Sequence, residues 1–170
     1  MKALSGYVEW FWLMAKNWKD VENRSWPLPI DMRGSLPIRI YLHASKKAAG
    51  KDECAFIIQQ LTVEQQLEFH EADFESMRGC IIGEITITRL IRKHSENPPS
   101  QFSMGGIHSI ADKEAELKEL RREVPEYFSK WFFGEFGFVV QDGVLYDDPI
   151  PYKGQLGFFE PDIKQITHRG

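Results

Sequence analysis

The run from Met77 to Ile91 constrains the fold more than any other part of this sequence. In an extended chain Ile81, Gly83, Ile85, Ile87 and Arg89 fall on one face, and Ile82, Glu84, Thr86, Thr88 and Leu90 on the other. That period of two, carried by β-branched residues, predicts a strand. The run is long for a single strand, so Gly83 is the expected place of a bend or bulge. Leu36 to Leu42, ending at His43, predicts a second, buried strand near 36–43. Phe136 to Gln141 predicts a third, stopped by an Asp142-Gly143 turn. Gln155 to Phe159 predicts a last strand.

Helical signals lie between them. Val8 to Lys16 is densely apolar, and Thr62-x-x-Gln65 is a capping-box start. Asp112 to Val124 is apolar at Leu117, Leu120 and Val124 and charged nearly everywhere else, which reads as a solvated amphipathic helix that Pro125 interrupts. There is no regular β-α-β alternation, so the class is α+β rather than a doubly wound sheet.

At 170 residues, 42% hydrophobic and 27% charged, the chain is an ordinary globule long enough for a real core. One domain is expected over 1–160, with 161–170 as a C-terminal tail. Cys54 and Cys80 lack paired spacing, which implies a reducing compartment and no disulfide framework. The apolar run Trp10 to Ala15 is too short for a membrane helix and has no signal-cleavage pattern, so the expected location is cytoplasmic, with no membrane partner. Five histidines (43, 70, 94, 108 and 168) and the two cysteines show no zinc-ligand spacing. Phosphate-loop and dinucleotide fingerprints are missing as well. Neither a metal nor a cofactor is expected.

The formal net charge of -4 argues against a non-specific polyanion binder. Its distribution argues the other way. Met32 to Lys51 holds five basic residues and no acid, whereas Asp52 to Glu75 holds seven acids and no Lys or Arg. A local polyanion-binding face and two plain solvated faces account for this equally well.

The segment Trp18-Lys19-Asp20-Val21-Glu22-Asn23-Arg24-Ser25-Trp26 is too polar for a core and too aromatic for an ordinary loop. If it is helical or a tight turn, Lys19 and Glu22 share a face and can pair. Lys19 offers charge to a phosphate or, once desolvated, a proton shuttle. Glu22 accepts hydrogen bonds from an exocyclic amino group. Arg24 forks onto a phosphate or clamps a carboxylate within the fold. Trp26, followed by proline, is the best stacking platform. The plain alternative is a surface ion-pair cluster. Further on, His43, Ser45 and Lys46 close a strand where side chains reach a cleft, and Ser45 and Lys46 suit a phosphate. A Ser45–His43 nucleophile pair would need a third, orienting group. Lys153 stands in a turn stiffened by proline and glycine, which reads in part as structural, and the same motif can place Lys153 or Gln155 at the rim.

These residues also carry a resemblance. Lys19, Glu22 and Arg24, then Arg33-Gly34, then His43-Ala44-Ser45-Lys46-Lys47, then Gly137 to Val140 and Pro149 to Gln155, resemble the ASCH domain, a branch of the PUA-like superfamily. The resemblance runs from about Ala3 to Phe159, with 95–130 as an insertion. It implies a mixed β-barrel decorated by helices, with the helical insertion before the last strands, and a nucleic-acid or nucleotide recognition module. RNA or a modified nucleoside is the implied partner, with DNA as the second polyanion. In that reading an unstacked base sits in a cleft lined by the Lys-x-x-Glu-x-Arg motif, with Lys19, Glu22, Arg24, Trp26, His43, Ser45, Lys46 and Lys153 as ligand contacts. The alternative is a hydrolase acting on a modified nucleoside, similar to acetylcytidine amidohydrolases, or a ribonuclease, with Lys19 and Glu22 as catalytic candidates. Those amidohydrolases pair the lysine with a threonine three residues on, where this chain has Glu22. The arginine of the family's usual start is likewise replaced here, by Gly6-Tyr7-Val8.

Overall fold

The structure, a computed structural model, describes residues 1–93 and 110–162. In chain order the elements are β1 (Ala3–Gly6), α1 (Val8–Ala15), β2 (Val21–Arg24), α2 (Ile30–Arg33), β3 (Ile38–Ala44), α3 (Lys51–Gln60), α4 (Val63–Glu71), α5 (Phe74–Met77), β4 (Cys80–Arg92), α6 (Ile110–Glu123), β5 (Phe136–Pro151) and β6 (Phe158–Phe159). The class is α+β, as the sequence predicts. The expected loop at Ser95 to Gly106 lies outside the described residues, as does most of the tail.

The chain divides into two compact units. The first comprises Met1–Lys19, Ile38–Ile87 and Gln141–Gly170, and the second Asp20–Pro37 and Thr88–Val140. Strands β4 and β5 each pass from one into the other. Within the first unit the strand order is β5-β4-β3-β1-β6. The sheet is mixed: β1 runs parallel to β3, whereas β3 with β4 and β1 with β6 are antiparallel. Within the second, the order is β2-β5-β4. Among the described residues no helix is long and apolar enough to cross a membrane.

The alternation that predicts β4 is realised. Ile85 and Ile87 are buried, and Glu84 and Thr86 are only half-buried. The pattern breaks where expected. Leu42 pairs with Gly83 but His43 pairs with Ile81, so Ile82 is an extra residue in β4, and both Ile81 and Ile82 are buried.

Helix α1 buries seven of its eight residues, including Glu9, whose carboxylate accepts the Ala49 N–H at 3.1 Å and faces Arg78 at 3.5 Å. It is a core helix, and so its apolar residues show no period. It stops at Asn17, which sits in the left-handed region (φ 59°) that asparagine tolerates. The Asn17 amide then brackets Gly143, donating to its C=O (2.9 Å) and accepting from its N–H (2.7 Å). A side chain at position 143 would meet the Met14 carbonyl, which is why glycine stands there. Thr62 caps α4 as predicted, exchanging bonds with Gln65 at 3.3 and 3.0 Å.

Three expectations need correction. Val21–Arg24 is a strand rather than a helix or tight turn, in register with β5 from Val21↔Val139 to Arg24↔Phe136. The strand expected over 136–141 continues to Pro151. Asp142 does take the left-handed conformation of a turn (φ 53°), but Arg39 donates to its carbonyl at 2.6 Å, and the strand runs on through it. Finally, the last strand is only Phe158–Phe159.

In the second unit the Asn23 side chain organises the 131–134 segment. Its amide donates to the Trp131 carbonyl (2.7 Å) and accepts from the Phe133 and Gly134 N–H groups (2.9 and 2.8 Å).

Candidate functional site

The first unit contains a cavity of about 420 Å³ lined by residues from four places in the chain: Ser5 of β1, the end of β3 with Ser45 and Lys46 beyond it, Gly79, and the segment Tyr152 to Leu156. Gly79 joins these parts. Its N–H donates to the Ala44 carbonyl (2.8 Å) and its own carbonyl accepts from the Tyr152 N–H (3.0 Å). Gly79 has φ 76°, a conformation open to glycine, and the Lys46 stem lies across it.

Four of the sequence candidates line this cavity: His43, Ser45, Lys46 and Lys153. Lys46 and Lys153 are exposed at its mouth. Ser45 donates to the Lys47 carbonyl at 3.0 Å, a local turn bond, so it is not the hydroxyl paired with His43. That hydroxyl belongs to Ser5, which carries no signal in the sequence. Strands β1 and β3 are parallel with Ser5 in register with His43, and Ser5 Oγ lies 3.1 Å from His43 Nδ1. On the other side of the ring, Nε2 lies 3.0 Å from the Tyr152 carbonyl oxygen.

That geometry fixes the tautomer by elimination. A carbonyl can only accept, so Nε2 carries the hydrogen; in the neutral ring Nδ1 is then the acceptor and the Ser5 hydroxyl the donor. The ring is held closely, since a side chain at Gly154 would overlap it and Phe159 packs edge-on at 5.8 Å.

Burial lowers the pKa of His43 below the ordinary 6.5, although hydrogen bonding to backbone carbonyls pushes it the other way. The unfolded chain therefore binds this proton more tightly than the folded one. This contribution to stability is complete above about pH 6.5 and is lost as the pH falls through the lowered value. The urea midpoint is expected to be lower at pH 5.5 than at 7.5, and the gap should narrow in His43→Gln. An unchanged gap would assign the pH dependence to other groups.

The remaining candidates stand elsewhere. Lys19 is buried (3% exposed), its Nζ 5.4 Å from the centre of the Trp10 ring, a cation–π arrangement. Glu22 and Arg24, two apart on β2, point the same way and pair at 3.0 Å. The Arg24 guanidinium in turn lies 5.5 Å from the Trp26 ring centre, and Trp26 packs edge-on against Phe138. One face of Trp26 is thus covered by a neighbouring cation.

No family model matches the chain, and no curated protein matches it. Among solved structures it is similar to a mutant of ZmASCH from Zymomonas mobilis, at 14% identity and a TM-score of 0.46, over 97% of this chain and 92% of that one.

Proposed function

We propose that this protein is a nucleic-acid or nucleotide recognition module that prefers RNA and takes an unstacked nucleotide into the cavity at His43, Ser45, Lys46 and Lys153. The observation that carries the reading is the convergence of two exposed lysines with a histidine, a tyrosine and two serines around a concavity large enough for one nucleotide. Cations at a cavity mouth attract phosphate, while the polar groups inside offer hydrogen bonds to a base or sugar. Single-stranded or looped RNA presents such a nucleotide without the cost of opening a duplex. Glu22, Arg24 and Trp26 form a separate cluster in the second unit. There the ion pair engages both carboxylate and guanidinium, which supports a structural role for Glu22 and Arg24 alike.

The test is a titration of short single-stranded RNA at several salt concentrations. Binding through two lysine–phosphate contacts predicts a log–log salt slope of about -1.4, because each contact on a single strand contributes roughly -0.7. Affinity independent of salt would reject phosphate contact at this cavity.

A further inference from the structure

The Ser5–His43–Tyr152 arrangement has the parts of an activated nucleophile: a hydroxyl hydrogen-bonded to an imidazole nitrogen, and a carbonyl on the opposite nitrogen that holds the ring in one tautomer. The orienting group that the sequence alone does not supply for a serine–histidine pair is a backbone carbonyl. We propose that Ser5 is the nucleophile, and His43 the general base, of a hydrolase acting on acyl esters of phosphorylated nucleosides. The nucleophile and its substrate class rest on different observations. Ser5 and its base follow from the geometry. The phosphorylated alcohol follows from Lys46 and Lys153 lining the same cavity, and so rests on the phosphate-binding reading above.

Each step balances without an added redox partner or metal. Ser5 Oγ attacks the acyl carbon while its proton passes to His43 Nδ1, leaving a tetrahedral oxyanion and an imidazolium. The C–O bond to the nucleoside breaks, and the Nδ1 proton goes to the departing alkoxide, giving the nucleoside alcohol and an acyl-Ser5 ester. Water then attacks that ester and gives a proton to Nδ1. Collapse releases the carboxylic acid and returns the proton to Ser5. Throughout, Nε2–H stays on the Tyr152 carbonyl, which makes that carbonyl a positioning group. The folded protein favours neutral His43, the form that can take the serine proton. Buried serine–histidine pairs also occur as plain structural bonds, and reactivity separates the two cases.

The protein is treated with an uncharged fluorophosphonate, which labels activated serines and needs no phosphate site, and is mapped by mass spectrometry. One adduct is expected, on Ser5, absent in Ser5→Ala. Its formation rate should rise with pH as His43 loses its proton and fall by roughly 10²–10⁴-fold in His43→Gln, the usual contribution of a general base. Should His43→Gln fail to fold, the pH profile of the wild type decides between the two cases. Lack of an adduct on Ser5, or a rate indifferent to pH between 5 and 8, overturns the nucleophile. A second arm follows acetate release from a 3′-O-acetyl nucleoside 5′-monophosphate and from the unphosphorylated nucleoside ester. Faster release from the phosphorylated ester is expected; equal rates, or no release from either, overturn the substrate class. Labelling without RNA binding would reject the recognition reading and leave the nucleophile standing, and RNA binding without labelling would reject only the nucleophile.

Discussion

Gly83→Ala is expected to destabilise the protein by about 3 kcal/mol or more, at the upper end of what overpacking costs. At this chain length that corresponds to a fall in the thermal midpoint of roughly 6–12 °C. A methyl at position 83 would lie 2.1 Å from the Val144 carbonyl oxygen and 3.1 Å from its carbon. These are backbone atoms, and they can retreat only if β5 moves off β4. Gly34→Ala is the control. Nothing lies within 4 Å of the added methyl there, φ is -74°, and the change should be neutral or slightly stabilising through the unfolded state. Calorimetric melts of both variants check this. A Gly83→Ala midpoint within ~2 °C of wild type would show that β5 yields easily at Val144.

The largest functional effect is expected from Lys46→Ala and Lys153→Ala together. Neither lysine is buried, so the fold should tolerate the pair. Affinity for short single-stranded RNA should drop roughly 10- to 100-fold, or about 1.4–2.8 kcal/mol. The loss should be nearly uniform across base sequences, because a phosphate contact carries no sequence information. The salt slope should also become shallower by about 1.4. A loss confined to certain sequences would mean that the lysines touch bases, and an unchanged slope would place the phosphates elsewhere.

What can be read from the sequence, and what cannot, follows the range of the interactions. The alternation in β4 and its break at Gly83 are local, so they are visible. So is the Thr62–Gln65 cap, whose partners are three residues apart. Strand β2 is hidden because Val21-Glu22-Asn23-Arg24 is mostly polar and becomes a strand only by pairing with β5, more than a hundred residues away. In β5 the Asp142-Gly143 signal is real, since Asp142 does adopt the turn conformation. Its outcome is set instead by distant partners, Arg39 on the Asp142 carbonyl and Asn17 on Gly143.

The site divides in the same way. His43, Ser45 and Lys46 are neighbours in sequence, so their grouping is legible, whereas Lys153 joins them only through the fold. Ser5 is not. A serine between leucine and glycine near the start of a chain carries no signal, and its meaning comes from a parallel pairing across 38 residues. The Lys-x-x-Glu-x-Arg stretch looks like a single constellation because its charges are close in sequence. The structure gives its members different partners: Trp10 for Lys19, and Arg24 for Glu22.

The central claim is that the cavity between the end of β3 and the Tyr152 to Leu156 segment receives a nucleotide of single-stranded RNA. Photo-crosslinking with short RNAs that carry 4-thiouridine at one position, followed by peptide mapping, tests this most directly. Adducts are expected on the peptides containing residues 43–46 and 152–156, competed away by unlabelled RNA and suppressed at high salt. Adducts found only on other peptides, at full RNA occupancy, would contradict it.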